Sequence, residues 1–111
     1  MSPQRVLLTA APPAVEGDWR AVVDWLQAAA AYDHPLEIAA CGAGLRWLSG
    51  CDADSAAARA AFSSLALLDV QRIQVPAGSQ LDGPPAAFAL VPLAPAEWQT
   101  WLRDGTLQVL T

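Results

Sequence analysis

Short apolar runs of strand length alternate along this chain with segments whose apolar residues recur every three or four positions, and Pro or Gly stands at nearly every junction. A continuous apolar run of this length belongs to a buried strand, and a period near 3.6 belongs to a helix. Residues 5–9, rich in Val and Leu and followed by Ala-Ala-Pro-Pro, read as a strand covered on both faces. Asp18 is placed to cap a helix whose apolar positions Val22, Val23, Trp25, Leu26, Ala29 and Ala30 carry it to Asp33-His34-Pro35. Residues 36–41 form a second strand, ended by Gly42 and Gly44, with a short helical segment Leu45-Arg46-Trp47-Leu48 before Gly50. Asp54 or Ser55 caps a helix running through Leu68, and residues 70–75 are a third strand stopped by Pro76. After turn chemistry at 81–85 come a fourth strand at 87–91, a helix opening on Pro95 and ending at Gly105, and a fifth strand at 106–110. Strands alternating with helices imply right-handed crossovers, so the expected class is α/β: one domain over residues 1–111, in three α/β/α layers around a five-stranded, mostly parallel sheet.

Composition narrows the functions. Hydrophobic residues make up 54% of the 111 positions and charged residues 15%, and the mean hydropathy is +0.28. That exceeds what one small core requires and points to subunit contacts. The longest uncharged stretch, 83–96, is broken by Pro84, Pro85, Pro92 and Pro95, so no membrane-spanning helix is expected. The N-terminal apolar run is too short for a signal peptide, and the expected location is the cytoplasm. The net charge is −5, and all six basic residues are scattered arginines, a pattern that offers no stripe for nucleic-acid phosphates.

In such sheets ligands sit beyond the carboxyl ends of the strands, here the loops 10–17, 42–44, 76–85 and 92–95. The first has one glycine and no Lys-Ser/Thr, so it lacks a phosphate cradle. Cys41 and Cys51 are ten apart, outside redox or zinc spacing, and with the lone His34 they are too few for a structural metal. No cofactor is expected. Cys41, ending a buried strand, reads as a small hydrophobe. Cys51, beside Asp52 and Asp54, sits among charges that disfavour a thiolate. His34 reads as a cation at a helix C-terminus, and Trp98 with Trp101 as a core-facing stripe.

The order of these elements resembles the DsrE/DsrF-like family and, within it, the TusC/DsrF branch of sulfur-relay subunits. The residues that carry the resemblance are Val6-Leu-Leu-Thr-Ala-Ala-Pro12, Ala28-Ala-Ala-Ala-Tyr-Asp-His-Pro-Leu36 with Gly42-Ala-Gly-Leu-Arg-Trp-Leu-Ser-Gly50, Asp69-Val70 leading into Val75-Pro-Ala-Gly-Ser-Gln-Leu-Asp-Gly83, and Val91-Pro-Leu before a helix and a last strand. The resemblance implies a heterohexamer with DsrE/TusD-like and DsrH/TusB-like paralogues, serving tRNA 2-thiouridine synthesis or dissimilatory sulfur oxidation. In the family a partner-type subunit carries persulfide on a cysteine after the third strand. Here Pro76 holds that position, and Ala43 stands where the family has Asp before glycine. A non-catalytic subunit is therefore the expectation. Two alternatives remain: a standalone sulfurtransferase using Cys51 or Cys41, and a homo-oligomeric module binding a small anion at the Gly42–Gly44 turn.

Overall fold

The structure, a computed structural model, describes residues 4–31, 36–49, 55–68, 70, 72–81, 88–103 and 106–110. Its elements run β1 (Gln4–Leu8), α1 (Glu16–Ala30), β2 (Leu36–Ala40), a 3-10 segment (Gly42–Trp47), α2 (Ala56–Ser63) continued by a second 3-10 segment (Ser64–Leu68), β3 (Arg72–Pro76), β4 (Ala89–Leu93), α3 (Pro95–Arg103) and β5 (Thr106–Leu110). The strands form one sheet in the order β4-β3-β2-β1-β5, and every adjacent pair is parallel. The chain thus steps outward from β1 to β4, and α3 then returns it across the sheet so that β5 lies on the free side of β1. The α/β class and the parallel pairing are those expected from the alternation of periods.

Strand residues alternate between two apolar clusters. Val6, Leu8, Ile38, Ala40, Ile73 and Val75 face α1 and α2, where Trp19, Val23, Leu26, Ala58 and Phe62 complete a buried core. Phe62 sits between Trp47 and Phe88, with ring centroids 5.6 and 5.2 Å away. Each fully buried side chain of this size stabilises the fold by about 1.5–3 kcal/mol. On the other face Leu7 and Ala39 meet Trp101, with Trp98, Leu102, Leu93 and Cys41 packed around them. A strand such as β1 needs apolar residues at consecutive positions because both of its faces are covered.

Several expected boundaries are corrected. Asp18 lies inside α1 rather than capping it: the N-cap is Val15, with no side-chain bond, and its carbonyl accepts the N–H groups of Asp18 and Trp19 at 3.0 and 3.2 Å. Glu16 and Asp18 instead place negative charge in the first turn, where the helix dipole favours it. Helix α1 buries Trp19, Val23, Leu26 and Ala29, while Trp25, expected in the core stripe, is 37% exposed. The first described helical segment after β2 begins at Gly42, not Leu45. Ser55 is the N-cap of α2, one of the two residues expected there, but its side chain makes no cap bond, and its Oγ accepts from Arg59 at 2.6 Å. The helix expected through Leu68 tightens to 3-10 geometry from Ser64. β4 starts at Ala89 and includes Pro92, which an edge strand tolerates. Among the described residues no helix is long and apolar enough to cross a membrane.

Candidate functional site

The described residues of the loops expected to hold a site follow the carboxyl ends of parallel strands. Pro76 is the last residue of β3, paired with Leu93 of β4, rather than the residue that stops the strand. Its missing N–H costs no ladder bond. Ala77 N–H points to β4 and donates to Leu93 O at 2.8 Å, so the Pro76 nitrogen points to β2, whose pairing with β3 has already ended at Ala39 and Gln74. Beyond Pro76 the chain turns back at once. Ser79 N–H donates to Pro76 O at 3.1 Å, and Ser79 Oγ donates to the same carbonyl at 2.6 Å. Gly78 has φ of +87°, the sign that the third position of a type II turn requires. The position where the resemblance puts a persulfide thiol is thus a closed, hydrogen-bonded turn without a nucleophilic sulfur.

The second loop is built around Cys41 and two glycines. Cys41 N–H donates to Leu8 O at 3.1 Å, and Cys41 O accepts from Gly44 N–H at 3.0 Å. Gly42 takes φ of +56°. Gly44 is demanded by space: a Cβ there would lie 2.0 Å from Leu8 O. Trp47 Nε1 donates to Ala10 O at 3.1 Å and ties the 3-10 segment to the loop after β1. Burial pushes the Cys41 thiol up, which keeps it protonated and a poor nucleophile near neutral pH. At the turn expected to cradle a small anion, Gly44 N–H is already engaged by Cys41 O, and Ala43 is exposed. Cys51 and His34 lie outside the described residues. Among the described residues no group of three His, Cys, Asp or Glu could hold a metal ion.

A third grouping, which the sequence reading missed, lies under α3. Arg5 and Glu37 are register partners at the second positions of β1 and β2. Arg5 Nε lies 3.5 Å from Glu37 Oε2, with side chains 12% and 31% exposed. Trp101 Nε1 donates to that carboxylate oxygen at 2.9 Å, and Trp101 O accepts from Arg5 Nη1. The Arg5 guanidinium lies 5.0 Å from the centre of the Trp101 ring, and Trp98 stacks near-parallel to Trp101 at 6.2 Å. Beside this group is a cleft of about 450 Å³ lined by Arg5, Leu93, Ala96, Glu97, Thr100 and Trp101. The available signal was a pair of opposite charges at matching positions of two apolar strands, but their union with Trp101 depends on a return of the chain that local pattern does not encode.

No family model matches this chain, and no curated protein matches it in sequence.

Proposed function

We propose that this chain is a non-catalytic, TusC/DsrF-like subunit of a cytoplasmic sulfur-relay complex. It would adopt the three-layer DsrE-like arrangement and assemble with DsrE/TusD-like and DsrH/TusB-like paralogues. The observation that carries this reading is the end of β3, where Pro76 and the Ser79 turn occupy the position that a carrier subunit needs for a reactive sulfur. Support also comes from the raised pKa of Cys41, which argues against a standalone sulfurtransferase built on that thiol. Exposed Leu67 and Val109, 87% and 50% accessible, supply apolar surface beyond the core.

The test has two parts. Gentle copurification from the native host should bring down two small paralogous chains, and a chain recovered alone and monomeric would overturn the assembly. Incubation with a persulfide donor should leave the intact mass unchanged. An added sulfur atom that disappears in Cys41→Ser or Cys51→Ser would make the chain a carrier in its own right.

A further inference from the structure

The cleft beside α3 has the size and lining of a small-molecule site, and its charges select the kind of ligand. Pockets of a few hundred Å³ with mostly apolar walls and a few placed polar groups are the usual form of such sites. Here Leu93, Ala96 and Trp101 provide apolar wall, and Glu97, Thr100 and Arg5 the polar groups. Arg5 brings no net charge, because Glu37 stands beside its Nε and Trp101 O accepts from its Nη1. Thr100 Oγ donates to Ala96 O at 3.1 Å, so its lone pairs face outward as acceptors. Glu97 is held in place by its Oε1, which accepts Ala94 N–H at 3.0 Å. Among the described residues no cation lies within ion-pair distance of it. The cleft therefore carries one carboxylate that the N-terminus of α3 meets only in part, over an apolar, aromatic wall, on a chain whose net charge is −5.

We propose that this cleft binds a compact organic cation, an ammonium head on an apolar body, with the head at Glu97 and the body against Leu93, Ala96 and Trp101. Glu97 supplies the charge and Thr100 a neutral acceptor. The indole of Trp101, whose ring already holds the Arg5 guanidinium, contributes apolar contact area alone. This reading does not depend on sulfur relay.

Phenethylamine is the probe, with phenethyl alcohol and phenylacetate as its neutral and anionic counterparts. The readout is the shift of the amide resonances of α3 and of the Trp101 indole on titration. The amine should saturate and bind about two- to fivefold more tightly than the alcohol, the scale of an exposed ion pair. Phenylacetate should bind most weakly. Glu97→Gln keeps an acceptor for Ala94 N–H, as a capping Gln does, so the helix start survives while the preference for amine over alcohol disappears. Ala96→Leu fills the cleft and should abolish saturation by all three. Equal binding of amine and alcohol, tighter binding of the acid, a preference that survives Glu97→Gln, or no saturation at all would each overturn the proposal. If Ala96→Leu disturbs helicity by circular dichroism, the Glu97→Gln comparison decides alone.

Discussion

A methyl group at position 44 has nowhere to go. It would approach the Leu8 carbonyl to 2.0 Å, and the atom it meets is backbone at the carboxyl end of β1, so the 3-10 segment must move away from β1. Gly44→Ala should cost about 2–4 kcal/mol, the upper range for overpacking. Gly42→Ala meets open space but must hold φ of +56°, a left-handed conformation that costs an L-residue about 1–2 kcal/mol. Urea denaturation midpoints of the two variants check the order, and an equal loss would mean that the close contact relaxes freely. Both glycines are legible in the sequence as breakers. Which one answers to conformation and which to space is not, because the second depends on a carbonyl in a strand far along the chain. Cys41 gives a pH prediction at the same scale. Burial raises its folded pKa above the unfolded value, so the protonated thiol is favoured in the fold. Its contribution to stability is fully present below the ordinary thiol range near about 8.5 and is lost as pH rises through the elevated folded value. In a Cys51→Ser chain, the alkylation rate of Cys41 against pH should rise with a midpoint above the free-thiol value. A midpoint below it would show an activating environment.

At the scale of elements, α1 starts without a side-chain cap. Val15 holds the extended N-cap backbone, φ −79° and ψ 126°, and its side chain makes no cap bond. It is 63% exposed, so little apolar burial is lost on replacement. Val15→Ser should therefore stabilise the chain by about 0.5–1 kcal/mol through a hydroxyl bond to the first-turn N–H groups. A rise in the denaturation midpoint at constant slope checks it, and no rise would mean the new hydroxyl points to water. The missing cap explains why Asp18 misled: it has the chemistry of a cap and sits in the first turn, but the helix begins where Val15 presents its carbonyl. The phase error at Trp25 has a related origin. Tryptophans at 19 and 25 fall on different sides of the helix, and the buried set 19, 23, 26 and 29 keeps the earlier one. The fifth strand, by contrast, is observed over the same residues, Thr106–Leu110, that its apolar character and preceding glycine mark out. Pattern serves where one element starts and stops by its own chemistry, and it fails where the neighbouring element decides.

For the whole molecule, the surplus of apolar residues has a visible address at Leu67 and Leu68, adjacent at the end of the second 3-10 segment and 87% and 38% exposed. Leu67→Glu removes little buried contact and should change the isolated chain's stability by less than about 0.5 kcal/mol. If the chain works as a subunit through this surface, the same substitution should strip copurifying partners, and partners retained in full would move the interface elsewhere. Sheet order was the part of the fold least open to sequence reading, since nothing local tells β5 to pass β4 and pair with β1. That order also sets a schedule for synthesis. Parallel pairing of Gln4–Leu8 with Thr106–Leu110 joins segments made early to segments made late, so a ribosome extruding this chain exposes one margin of β1 until the last described strand emerges. Until then Leu7 lacks the Val109 backbone beside it and Trp101 has only just been supplied. The strand that opens the sheet is thus also the one that must wait longest for its second neighbour, and a chaperone or cognate partner would find its opening there.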